Sequence, residues 1–112
     1  MNSSMHYPIM IIISCKNNKE AKKIGKSLIN NRLAACVQII KKIKSYFIFN
    51  DNFVSDSEAL MLVKTTHEHY EAIVKSVNQL HSHEIPEIIS FKMDNINEAY
   101  VNWLFNQVEK IS

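Results

Sequence analysis

An α+β fold is predicted for this chain of 112 residues by three features of its sequence. Apolar runs of strand type alternate with amphipathic stripes at helical spacing. A cap residue stands three positions before a Glu ahead of each stripe, at Asn17, Thr65 and Asn95. An Asn-Asp-Asn turn at 50 to 52 separates two long β-rich segments. The order from the N-terminus is βαββαβ, with one extra helix at the C-terminal end.

The stretch "YPIMIIISC" is almost continuously apolar, which suits a central strand covered on at least one face. Asn17 and Glu20 form the reciprocal pairing of a capping box, and Ala21, Ile24, Leu28 and Ile29 stripe the helix that follows. "AACVQIIKKIKSYFIFN" and "FVSDSEALMLVKT" make a long antiparallel hairpin, because Asn and Asp tolerate the left-handed backbone of a tight turn. Thr65 with Glu68 caps the second helix, striped by Tyr70, Ile73, Val74, Val77 and Leu80. "PEIISFKM" supplies the last strand, where the N–H missing from Pro86 does no harm at the start. Asn95 with Glu98 caps the final helix, striped by Tyr100, Val101, Leu104, Phe105 and Val108. This order is the ferredoxin-like, split βαβ arrangement, an antiparallel sheet with helices on one face.

A single domain is expected over 1–112, with 1–7 as a flexible N-terminus. A domain of this length buries roughly two-thirds of its unfolded surface. The 46% apolar content supplies that core without a disulfide framework. "MNSSMHYP" lacks the charged start and apolar run of a secretory signal, and the apolar run from Ile9 to Ile13 is too short to span a bilayer. With Cys15 and Cys36 as the only cysteines, a reducing, cytoplasmic setting with free thiols is expected. Thirteen Lys and Arg against 11 Asp and Glu leave +2, too even to imply a nucleic-acid partner. Lys41, Lys42 and Lys44 beside aromatics read as solvated lysines on a strand. One glycine, Gly25, excludes Gly-rich phosphate loops.

The hairpin, about fifteen residues per strand, outruns a sheet built on strands of ordinary length. Its projecting half carries Tyr46, Phe47, Ile48, Phe49 and Phe53. Apolar surface of that kind meets a partner, so a closed homo-oligomer with mutually covering arms is expected.

"LHSHEIPEI" (Leu80 to Ile88) leaves two readings open. His81 and His83 are helix-end imidazoles that complement the dipole, with Glu84 and Glu87 solvated or paired to lysines. Alternatively the group binds a metal or moves protons. Cys36 is either a small buried residue or a soft ligand that selects Cu(I) or zinc, and Cys15 is a weaker version of the same choice. Lys64 lies in the apolar run "LMLVKT", where an ammonium needs a carboxylate such as Glu58 or Glu87. CxxC and HExxH are absent, so a closed four-ligand zinc site is not expected. Neither a nucleophile elbow nor a Ser-His-Asp order is present, and the chain reads as non-enzymatic.

In order along the chain, several stretches resemble the CutA divalent-cation-tolerance family. "NRLAACVQII" is similar to its helix-to-strand junction at Arg32, Leu33, Ala34, Ala35 and Cys36, and Ser45 falls at the family's Ser in the second strand. "SEALMLVKT" resembles its third strand through Glu58, Leu62, Lys64 and Thr65. "LHSHEIPEI" matches a family motif at His81, Glu84, Pro86 and Glu87, and "AYVNWL" matches its Tyr-x-x-Trp pair through Tyr100 and Trp103. The similarity runs from about Ile9 to Leu104.

That resemblance implies a homotrimer held through the long hairpin and a part in tolerance of copper and other divalent ions. In this reading Cys36, His81 and His83 hold a metal weakly, copper or another divalent cation, and no cofactor is required. Glu58, Lys64, Glu84, Glu87, Tyr100 and Trp103 line a cleft between subunits. Departures from the pattern are Lys41-Lys42 for a Pro-Gly, Phe47 and Phe49 for a Tyr and a Trp, Asp51 for the hairpin Gly, and Ser82-His83 for a Pro-Tyr. They remove donors and add an imidazole. Two other functions stay open: a trimeric small-molecule sensor like the PII-type signal proteins, by analogy of fold, and a structural trimer that organises a partner protein.

Overall fold

The computed structural model describes residues 6–110. The order is β1 (Pro8–Cys15), α1 (Asn18–Asn30), β2 (Cys36–Phe49), β3 (Asn52–Thr66), α2 (Tyr70–Leu80), β4 (Ile88–Lys92) and α3 (Glu98–Gln107), with one 3-10 turn at His67–His69 ahead of α2. All neighbouring strands are antiparallel, in the sheet order β2-β3-β1-β4. Each helical crossover therefore skips one strand, which is the split βαβ topology read from the sequence. Among the described residues, no helix is long and apolar enough to cross a membrane.

Period-two alternation decides which side of the sheet is covered. On β1, Ile9, Ile11, Ile13 and Cys15 are buried under α1 and α2, and Ala59, Met61 and Val63 of β3 join them. The helix stripes meet this layer through Ala21, Ile24, Leu28, Ile73 and Val77. A Cβ on Gly25 would lie 3.1 Å from Val37 Cγ1, so α1 rides close upon β2. On the other side, Lys64 stands between Cys36 and Met10, and Leu62 between Gln38 and Ile12. Among the described residues, α3 stands at the margin of that second face, where Leu104 and Val108 pack with Ala35.

Two expected capping boxes are not formed. Thr65 is the penultimate residue of β3, fully buried, and its hydroxyl donates to the Leu33 carbonyl at 2.7 Å. A 3-10 turn follows, so α2 begins after His69 without a side-chain cap. At α3 the cap position is Asn97, not Asn95, and it too makes no side-chain cap bond. The box at Asn17 does form in its forward arm, with Oδ1 accepting from Glu20 N at 2.9 Å. The return arm of Glu20 overshoots Asn17 and takes Lys16 N at 2.8 Å. α1 ends with Arg32 at φ 58, closed by Leu33 N to Leu28 O and Arg32 N to Ile29 O, each 3.0 Å.

The hairpin turns at Asn50 and Asp51, both left-handed with φ 50 and 64, as the Asn-Asp-Asn signal required. Register passes from Ile40 opposite Leu60 to Ile43 opposite Glu58, so Lys41 and Lys42 together face Ala59. This β-bulge twists the ribbon where it leaves the sheet. Beyond it the aromatic residues stand in solvent, with Tyr46 67% and Phe53 70% exposed. The arm stretches the molecule to 46 × 27 × 23 Å and its Cα radius of gyration to 14.9 Å. A compact domain of this length has about 13 Å.

Of the flexible N-terminus expected at 1–7, residues 1–5 lie outside the described residues. His6 Nδ1 sits 2.8 Å from Glu68 Oε1, and its ring stacks on Phe105 with centroids 4.5 Å apart. Tyr7 stacks on His67 at 4.9 Å.

Candidate metal centre

The split βαβ order carries the end of α2 back beside the end of β1, where α1 starts. Three chemistry-bearing side chains meet there: Cys15 from β1, Glu20 from the first turn of α1, and His81 directly after α2. One ligand atom from each lies within 4.8 Å of the others. Cys15 is wholly buried and its Sγ lies 3.5 Å from Met61 Sδ. Burial, and then the negative charges of Glu20 and Glu58, push the Cys15 thiol up to about 12, so it carries its proton at neutral pH.

Glu20 is an ionised carboxylate in a nearly closed place. Burial pushes its carboxyl up, but bonds from the Lys16 and Ser82 main chain and the nearby His81 outweigh this and leave it below the usual range. Oε2 accepts from Lys16 N at 2.8 Å and Oε1 from Ser82 N at 2.6 Å. His81 Nε2 lies 2.7 Å from the Ser14 carbonyl oxygen. A carbonyl only accepts, so Nε2 carries the proton and Nδ1 presents the lone pair. That lone pair accepts from His83 N at 3.0 Å. The main chain of residues 82 and 83 is thus tied to the same two side chains that face Cys15.

The residues singled out in the sequence separate into two places. His81 belongs to this centre, and the exposed His83 ring lies 5.1 Å from it between centroids. Cys36 does not join them within one chain. It is opposite Lys64, which is opposite Met10, on the uncovered face of the sheet. His81 is anchored at Ser14, four residues further along β1, about 13 Å away along the strand. Lys64, Tyr100 and Trp103 do cluster: Lys64 Nζ stands 5.4 Å from the Tyr100 ring centroid, and Tyr100 lies 5.4 Å from Trp103. Neither expected carboxylate pairs with Lys64 inside the chain. Glu58 is six residues away on the same strand, about 20 Å. Glu84 and Glu87 are exposed near the opposite end of β1. The sequence reading treated Glu20 only as a cap and Cys15 as the lesser thiol. Strand order was the available signal, because it places the end of the first strand beside the end of the second helix.

Fold and site together define, among the described residues, a small α+β protein with an antiparallel four-stranded sheet, three helices and a thiol–carboxylate–imidazole group whose thiol and carboxylate are buried and whose imidazole is half-buried. The family model for CutA1 divalent ion tolerance protein matches residues 9–107, and the chain belongs to that family. The divalent-cation tolerance protein CutA of Thermus thermophilus is 34% identical over 95 residues, covering 85% of this chain and 92% of its own. Mouse protein CutA is 33% identical over 100 residues, 89% of this chain but 56% of its own, so the chain spans about half of that relative. Among solved structures, rice CutA1 superposes with a TM-score of 0.91 at 28% identity, covering 96% of this chain and 99% of its own. The Thermus thermophilus structure gives 0.88 at 31% identity, covering 91% and 99%. One relative, from Arabidopsis thaliana, is named chloroplastic, and a similar solved structure from Archaeoglobus fulgidus is named periplasmic.

Proposed function

We propose that this protein is a non-catalytic homotrimer that binds copper or a related thiophilic cation and so contributes to divalent-ion tolerance. The observation that carries the metal assignment is the convergence of Cys15, Glu20 and His81. Their donor set fits such an ion. A thiol that gives up its proton on binding, an imidazole and a carboxylate suit zinc and copper, and the Met61 thioether beside Cys15 favours Cu(I) over hard cations. His83 is near enough to join through a loop movement. Cys36 lies apart, and a metal held there would need donors from another chain. The two free thiols suit a reducing compartment, the cytoplasm in this reading. Trimer formation is supported by the bare second face of the sheet and by the arm.

The test is titration with Cu(I), Cu(II) and Zn(II). Cys15→Ser and the double His81/His83→Ala variant are each expected to weaken binding at least tenfold, while Cys36→Ala is expected to match the parent. Equal affinity in all of them removes the assignment.

A second reading is favoured by Lys64, half-buried and without an acidic partner among the described residues, beside an exposed Trp103. A cation with aromatic walls suits an anionic organic ligand, as in a trimeric sensor. A thermal-shift screen separates the two, since a metabolite that stabilises strongly where metals do not would favour the sensor.

A further inference from the structure

We propose that metal loading at Cys15, Glu20 and His81 and closure of the segment from His81 to Glu87 exclude one another, so the loop gates the centre and reports its state. This rests on the metal-binding reading above and concerns how that site is regulated.

The argument is a count of lone pairs. Neutral imidazole has one, and a metal bond needs it. In His81 the proton is on Nε2, held by the Ser14 carbonyl, and the lone pair on Nδ1 is occupied by the His83 N–H. A metal at Nδ1 displaces that N–H directly. A metal at Nε2 gives up the Ser14 bond and moves the proton to Nδ1, where it confronts the His83 N–H donor to donor. Both routes cost His83 its acceptor. The second tether is contested as well. Ser82 N–H donates 2.6 Å to Glu20 Oε1, on the carboxylate that a cation would draw toward itself. Ser82 and His83 are both exposed, so solvent can take over their freed N–H groups at little cost.

Coupling of this kind is reciprocal: what opens the loop raises metal affinity, and metal raises the open population. The released segment carries Ile85, 88% exposed, and runs directly into β4 at the edge of the sheet. Metal occupancy is thereby conveyed to an edge where other chains can pair.

Amide hydrogen exchange on the parent protein, with and without saturating Zn(II), tests this. Exchange at His83 is expected to accelerate at least tenfold on loading, with Ser82 following, while Ile11 in the core stays unchanged. His83→Pro deletes the competing N–H and touches no ligand of the three, so Zn(II) is expected to bind about fivefold tighter than to His83→Ala, which loses the same imidazole but keeps the N–H, the effect of one net hydrogen bond. Saturable binding that Cys15→Ser abolishes, with unchanged or slower exchange at His83, overturns the gate and leaves the metal centre standing. Binding in His83→Pro no tighter than in His83→Ala counts against the gate in the same way. Where Cu(I) binds and Zn(II) does not, the exchange is read with Cu(I), and absence of saturable binding of either ion in the parent overturns both.

Discussion

Cys15 shows how one residue's surroundings set its chemistry. Its side chain points into the helix-covered layer because every second residue of β1 does, and the nearby carboxylates add to what burial has done to the thiol. With the group up at about 12, only about one thiol in ten thousand is ionised at pH 8, against about a quarter for an ordinary cysteine. Its stronger thiolate offsets part of that loss, so in a Cys36→Ala background Cys15 is expected to react with a disulfide reagent at pH 8 at least about tenfold more slowly than a free thiol. Stopped-flow labelling in native buffer and in urea measures this, and rapid native labelling would contradict the burial. Glu20 is the matching lesson in legibility. Its place three residues after Asn17 announced a cap, correctly, but its bond to Ser82 links two points 62 residues apart. Local spacing holds no trace of such a partner. Only the strand order, worked through in three dimensions, brings the two together.

Among elements, the strands and the tight turn were legible because each signal is local and backbone-driven. Left-handed Asn50 and Asp51 are the clearest case. Caps were legible once in three. At Asn17 the chain leaves β1 and is free to enter a helix, whereas at Thr65 the strand still has partners to pair with and the hydroxyl finds the Leu33 carbonyl. Asn17→Ala is accordingly expected to cost about 1 kcal/mol in urea denaturation, while Asn95→Ala should change stability by no more than a few tenths. Equal losses at the two sites would show that the cap geometry is misassigned.

The turn before α2 makes a pH prediction of its own. His69 is buried, and neither ring nitrogen has a bonded partner among the described residues. Burial holds its imidazole below the ordinary value, against the pull of the Glu68 and Glu109 carboxylates and with the help of His6. A depressed histidine stays neutral in the fold while the unfolded chain takes up the proton. Its contribution is thus present above pH about 6.5 and is lost as pH falls through the lower folded value. Urea midpoints between pH 7.5 and 5 are expected to fall less steeply in His69→Leu than in the parent. Parallel curves would remove His69 as the cause.

At the scale of the whole molecule, the arm is the feature that one chain leaves unresolved. Pairing puts Tyr46, Ile48 and Phe53 on one face of the ribbon and Phe47, Phe49 and Val54 on the other, so neither face is polar. A dimer formed about one face would leave the second in water, whereas a closed ring lays a neighbour against each. That asymmetry favours the proposed trimer over a pair. The sequence revealed the surplus of aromatics but not their two-sidedness, because the bulge at Lys41 and Lys42 shifts the alternation just before the arm begins. Ile48→Glu combined with Phe53→Glu sets two carboxylates opposite each other on one face, far from the core of Ile11, Ile24 and Met61. The parent is expected to sediment as a trimer at micromolar concentration, and the double variant as a single chain with an unchanged circular dichroism spectrum. Removing the trimer in this way also separates the two functions, because the centre at Cys15 is built within one chain and should keep its metal affinity. An organic-ligand site at Lys64 assembled between chains should lose its ligand. A parent that sediments as a folded monomer would overturn the assembly, and a monomeric variant that loses metal would move the centre to the seam between subunits.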